Sequence, residues 1–247
     1  VPGGIYYVAL HGNGGQEIFP ADADRAKFME LLVPARLSAR AQIIAFCLAT
    51  CDARLVVQIS DVPVGRLVQR VATRYSRYVH LKYGTTGYLF QHPYRAHVLD
   101  GTRDLLEVVR HAHLAGIDAG LADSLEAYPW SSHRAYLEIE ALEWLTREPV
   151  LNLLGPAQAE RAEAYRKLMT AEGPEGASSA DRFFRVAAPT LDPAAGTSHH
   201  GTGHRGGRAQ DVHRSPEVVF GVARAAARPH AGAHRVARHP EPHCDTY

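Results

Sequence analysis

The clearest chemistry in this chain lies in a basic run between residues 64 and 83. Arg66, Arg70, Arg74 and Arg77 follow steps of four, four and three. On a helix that spacing places four guanidiniums along one stripe. Such a stripe suits phosphates, because each neutralised phosphate releases condensed counterions and affinity then falls steeply with salt. Tyr75, Tyr78, Tyr83 and Tyr88 stand among or just after these arginines. Aromatic rings stack on unpaired bases, each worth about 1 to 3 kcal/mol. Leu67, Val71, Tyr75 and Tyr78 occupy the neighbouring stripe, so Tyr75 and Tyr78 have two readings open, base stacking or core. Taken alone, the arginine stripe also reads as an ordinary solvated face.

Composition narrows the choice only a little. The chain has 247 residues, a 46% apolar and 21% charged make-up, and a net charge of +1. These values are ordinary for a globular protein, so the distribution of charge says more than its sum. Lys27, Lys82 and Lys167 are the only lysines. Arginine forks bind phosphate in a bidentate way, although a GC-rich coding sequence gives the same bias. Cys47, Cys51 and Cys244 form neither a CxxC pair nor an even disulfide framework, and Cys47 reads as a buried thiol. His111 and His113 are two apart on a helix-forming run, point apart, and make a poor chelate. The histidines at 199, 200, 204, 239 and 243 lack fixed ligand spacing and read as composition. The chain opens on no signal-peptide pattern, and no apolar run reaches the ~18 residues of a membrane span. The expectation is a cytoplasmic protein with no membrane partner.

The elements that must position these residues follow from periodicity and turn signals. Ile5 to Leu10 reads as a strand, followed by a turn at His11 to Gly15. Asp22 and Asp24 open a helix that runs to about Arg40. Gln42 to Ala49 and Leu55 to Ile59 read as paired strands. A second helix spans about Val64 to Tyr83 and stops before Gly84. Arg95 to Leu99 is a further strand, and Asp104 to Ala115 a helix stopped by Gly116. This β-α-β-β-α-β order predicts an α+β fold, a small antiparallel sheet with helices on one face. Residues 141 to 186 read as a helical extension. After about residue 187 Gly, Ala, Pro, His and Arg dominate, and the segment to 247 is expected to be disordered, apart from a short helix near Val218 to Ala227.

Several segments, taken in order, resemble the IS200-like transposases, in particular the REP-associated tyrosine transposase branch. They are His11-Gly12-Asn13, Ile18-Phe19, Ala45-Phe46-Cys47-Leu48, Arg74-Tyr75 and Arg77-Tyr78, Gly87 to Gln91, Tyr94-Arg95-Ala96, and Tyr128 to Tyr136. The resemblance covers roughly residues 1 to 173. It implies a ferredoxin-like transposase domain over residues 1 to 140 that recognises hairpin and flanking single-stranded DNA. Relatives are often dimeric, which leaves a homodimer open. The resemblance also implies phosphate contacts by Arg66, Arg70, Arg74, Arg77 and Arg95, with Tyr75 and Tyr78 beside them.

Members of that family cut DNA with a tyrosine nucleophile and a divalent metal held by a His-x-His pair. Aligned on Cys47-Leu48, that motif falls on Cys51-Asp52-Ala53-Arg54. Asp52 is able to ligate magnesium or manganese, but Arg54 is a permanent cation in a ligand's place. The tyrosine's position falls on His111. The expectation is therefore a DNA-binding homologue without a cofactor, its former metal positions at Asp52 and Arg54 and its former nucleophile position at His111. The alternatives are an active enzyme using Mg or Mn with non-standard ligands, and a remnant without a selected role.

Overall fold

The structure, a computed structural model, describes residues 1–171. The expected disordered segment, its short helix and the end of the extension, from 172 onward, lie outside the described residues. In chain order the elements are β1 (Ile5–His11), a 3₁₀ turn (Asn13–Gly15), α1 (Asp22–Ser38), β2 (Ala41–Leu48), β3 (Asp52–Ile59), α2 (Val64–Tyr83) and β4 (Arg95–Val98). Then follow α3 (Thr102–Asp118), α4 (His133–Tyr136), α5 (Glu148–Leu154) and α6 (Gln158–Thr170). The strands form one antiparallel sheet in the order β2-β3-β1-β4. This is the ferredoxin-like, α+β strand arrangement expected from the element order. The helices were expected on one face, but they cover both, because α3 carries its own buried side opposite α1 and α2. Among the described residues no helix is long and apolar enough to cross a membrane.

Several boundaries differ from the sequence expectation by a residue or more, and two of them bear on the site. β3 begins at Asp52 rather than at Leu55, because Asp52, Ala53 and Arg54 pair with His11, Leu10 and Ala9 of β1. Its polar residues hid a strand that partner pairing makes. α3 does not stop at Gly116 but continues to Asp118, and the turn is made by Gly120 at φ 66°. Gly116 is inside the helix because the Tyr128 ring packs on it. A Cβ at Gly116 would sit 2.4 Å from Tyr128 Cδ1. Gly116→Ala is therefore expected to lower stability by about 1–3 kcal/mol through overpacking. A urea midpoint equal to that of the unaltered chain would show that the ring moves aside freely.

Side chains alternate across a sheet. One face carries Tyr7, Ala9, Arg54 and Val56, and the other Val8, Leu10, Leu55 and Val57; all but the half-buried Arg54 are buried. The second face lies in a core that also contains Phe28 and Leu32 of α1 and Leu67, Val68 and Val71 of α2. These two helices pack on each other. α3 packs on β2 and β3 and covers the first face. The face holding Asp52 and Arg54 is thus roofed by a helix of its own.

The helical extension joins the same core through Leu145, Val150, Tyr165 and Met169. α6 is held against α3 by a buried polar chain. His113 Nε2 lies 2.7 Å from Ser132 Oγ and its Nδ1 2.8 Å from Tyr165 Oη. Tyr165 Oη also lies 2.7 Å from His133 Nδ1. The network itself assigns the tautomers. Ser132 donates to His113, His113 Nδ1–H donates to Tyr165, and Tyr165 donates to His133. Ser132 Oγ also donates to Phe46 O at 3.3 Å, which ties this chain to β2. His133 Nε2–H then faces Glu126 Oε1 at 3.8 Å. Burial lowers the pKa of both histidines, so both are neutral.

Candidate nucleic-acid interface

α2 has two distinct faces because its apolar residues recur at helical spacing. Leu67, Val68, Val71, Tyr75 and Val79 are buried, while Arg66, Arg70, Arg74 and Arg77 are exposed. The helix contains no aspartate or glutamate. Surface helices usually interleave both signs, which pair at i, i+4, so an unbalanced stripe leaves its charge directed outward. Among the described residues Arg66, Arg74 and Arg77 have no ion-pair partner. Arg70 Nη1 donates to Ser38 Oγ at 2.8 Å. Arg66, Arg70, Thr73 and Arg74 line an open groove of about 610 Å³, with Ser38 and Asp61 on its other side. Asp61 is paired with Arg40 at 3.0 Å.

The two tyrosines expected beside this stripe have other work. Tyr75 is fully buried, its hydroxyl donating to Ile18 O at 2.6 Å. Its ring packs among Phe19, Phe28 and Phe90. It is a core residue and cannot stack on a base. Tyr78 is half-buried and donates to Asp24 Oδ1 at 3.0 Å. The Asp24 carboxylate is fully buried and also receives Lys82, Tyr83 at 2.6 Å and the Ala21 N–H at 2.9 Å. Burial opposes its charge, but these donors outweigh it and hold the carboxyl below the usual range. Tyr78 therefore belongs to the clamp between the start of α1 and the end of α2.

Arg95 lies elsewhere. On β4 it pairs with Ala9 of β1, which pairs in turn with Arg54 of β3. It stands on the sheet face under α3, while the α2 stripe lies beyond the other face. The five arginines expected to share phosphate contacts are thus split four to one by the sheet.

The three positions assigned to the former active site do converge. Arg54 Nη2 lies 3.2 Å from Asp52 Oδ2, and Arg54 Nη1 lies 3.1 Å from His111 Nε2. His111 Nδ1 lies 2.6 Å from Tyr7 Oη. An arginine N–H only donates. Nε2 is therefore the acceptor, and the imidazole proton sits on Nδ1, which donates to Tyr7. Burial, with Arg54 and Arg110 nearby, lowers the His111 pKa to about 3. The ring is neutral and its one lone pair is occupied by the guanidinium, which leaves no free nucleophile there. Burial opposes the charge on Arg54, but the adjacent Asp52 outweighs it and keeps the guanidinium protonated.

The other nucleophilic groups nearby are equally quiet. Burial raises the Tyr7 hydroxyl above its ordinary range, and it pushes the Cys47 thiol up to about 12. A protonated phenol or thiol is a poor nucleophile. His11 was not singled out by sequence, yet it pairs with Asp52 across β1 and β3 on the same face. Its pKa is lowered by burial and by Arg95 and Arg54, against the attraction of Asp52. The early start of β3 was the signal that would have revealed it.

A divalent metal of the kind the resemblance implies does not fit these residues. One Asp52 oxygen is held by Arg54, and only Oδ1 lacks a hydrogen-bond partner. The guanidinium beside it carries the sign a metal ion would carry. Among the described residues no group of three or more His, Cys, Asp or Glu is arranged to hold a metal.

No family model matches the chain, and no curated protein matches it. Among solved structures the chain is similar to a REP-associated tyrosine transposase bound to a REP hairpin. That likeness has a TM-score of 0.49 and 9% sequence identity, and covers 60% of this chain and 93% of that chain.

Proposed function

We propose that this chain is a DNA-binding protein on a transposase-like scaffold, with its strand-cleaving positions closed by the Asp52–Arg54–His111 cluster. The observation that carries the binding half is the exposed stripe of Arg66, Arg70, Arg74 and Arg77 on a helix without a single carboxylate. The inert half is supported by the guanidinium that occupies both the Asp52 carboxylate and the His111 lone pair. The ordered motifs shared with REP-associated transposases support hairpin and single-stranded DNA as the partner.

The test is salt-dependent binding to a hairpin oligonucleotide with a single-stranded flank. Arg70→Ala with Arg74→Ala is expected to weaken binding on every sequence and to lower the slope of log affinity against log salt by about 2. An unchanged slope would remove α2 from the interface. The same oligonucleotide incubated with manganese is expected to give no covalent protein–DNA adduct. Formation of one would favour an active enzyme.

A further inference from the structure

The polar chain Ser132–His113–Tyr165–His133 is buried along its whole length, no member more than 2% exposed. At one end Ser132 Oγ has two acceptors, His113 Nε2 at 2.7 Å and Phe46 O at 3.3 Å. The same oxygen accepts the Phe46 N–H at 2.9 Å. At the other end His133 Nε2 is buried without a hydrogen bond, and Glu126 Oε1 stands 3.8 Å from it. The Glu126 side chain is 54% exposed, so the chain runs from solvent to the edge strand β2. Its direction at neutral pH is set by the Glu126 carboxylate. A lone pair on His133 Nε2 would face that negative charge, so Nε2 keeps the proton and Nδ1 accepts from Tyr165.

We propose that this chain is an acid-sensitive relay, which takes up one proton at His133 and reverses direction without giving up a hydrogen bond. In the reversed state His133 Nδ1–H donates to Tyr165, and Tyr165 donates to His113 Nδ1. His113 Nε2–H then donates to Ser132, and Ser132 donates to Phe46 O. His133 Nδ1 gains one proton from solvent, His113 moves its own from Nδ1 to Nε2, and each hydroxyl keeps one. The second acceptor of Ser132 makes the reversal possible, because the last hydroxyl still has somewhere to send its proton. The added charge belongs on His133. Burial lowers the pKa of both histidines, but Glu126 opposes that shift at His133, whereas His133 adds to it at His113. The other titratable groups around the chain are already engaged. Tyr136 donates to Ile44 O at 2.9 Å, and Arg134 pairs with Glu140 at 3.5 Å. Arg147 and Glu148, at the start of α5, act on Tyr136 with opposite sign. His111 has no such freedom. Its Nε2 faces an Arg54 N–H, which cannot accept, so a second proton there would set two donors against each other.

The experiment is nitrogen NMR of the full chain, isotopically labelled at histidine, followed downward from neutral pH while the chain stays folded. It reads which ring nitrogen carries each proton, and His113→Gln and His133→Gln identify the two signals. As His133 gains its second N–H, the His113 proton is expected to move from Nδ1 to Nε2 with the same midpoint. His111 is expected to keep its single proton on Nδ1 throughout. Tyr165→Phe, which removes only the linking hydroxyl, is expected to leave the His113 tautomer unchanged while His133 titrates. Glu126→Gln, at a half-exposed side chain, is expected to lower the pH at which His133 gains its proton. A His133 that stays singly protonated until the chain unfolds would overturn the relay. So would a His133 that titrates in the unaltered chain while His113 keeps its proton on Nδ1. An unchanged His133 midpoint in Glu126→Gln would overturn the assignment of Glu126 as the solvent end.

Discussion

Arg54→Met is expected to destabilise the chain by about 3 kcal/mol, and Asp52→Leu combined with it to recover most of that loss. The reason is the asymmetry of buried ion pairs. The side chains of Arg54 and Asp52 keep 17% and 15% of their exposure, so both are largely desolvated. Removing the guanidinium alone leaves the Asp52 carboxylate near Tyr7 and Cys47 without its ion-pair partner, and takes the donor from His111 Nε2. Removing both charges leaves apolar side chains of similar volume and no unpaired carboxylate, with only the donor to His111 Nε2 lost. The residual exposure places the single-variant cost at the lower end of the range for broken buried pairs. Chemical denaturation of the two single variants and the double variant at neutral pH forms a complete cycle. A single Arg54→Met variant within about 1 kcal/mol of the unaltered chain would show that the cluster is better hydrated than its burial implies.

The second large effect is acid lability. His111, His113 and His133 are buried, and burial holds each neutral in the folded state. Unfolded, they titrate near 6.5. Below that pH the unfolded chain takes up protons that the folded chain refuses, so their contribution, complete above 6.5, is lost as pH falls. For His111 the loss continues down to about 3. Well below 6.5, His111 costs about 1.4 kcal/mol per pH unit, and His113 and His133 act in the same direction. A fall of two units then removes a sizeable part of the 5–15 kcal/mol typical of a domain. His11, also lowered, acts in the same direction, and Asp24 adds a loss below about 3.8. Asp118, whose pKa is raised by burial, partly offsets them. The urea midpoint is expected to fall steeply from about pH 6.5 to 4.5, and less steeply in His113→Gln. A midpoint constant over that interval would contradict the neutral, buried assignment.

The arginine stripe and the helix that bears it were legible because both depend on local period. The 3.6-residue repeat of Leu67, Val71, Tyr75 and Val79 is enough to place α2 at Val64–Tyr83 and turn its arginines outward. The antiparallel sheet was equally accessible, since alternating apolar runs separated by turns admit few arrangements, whereas the strand order came from the structure. Tyr75 shows where that logic stops. Its position beside Arg74 and Arg77 fits stacking as well as packing, and only the Phe19–Phe28–Phe90 pocket decides between them.

What local pattern could not supply was which face of the sheet each element covers. That depends on contacts between residues far apart in the chain. Arg54 meets His111 across 57 positions and Tyr7 meets His111 across 104. Arg95 is separated from the α2 stripe although only seventeen positions lie between Arg77 and it. The same holds for Gly116, which a helix-stop rule reads as an end and the Tyr128 ring turns into a packing contact. Periodicity determines which side of an element is apolar; the burial of charge and the choice of hydrogen-bond partner belong to the packed fold, because solvent must first be excluded before they carry weight.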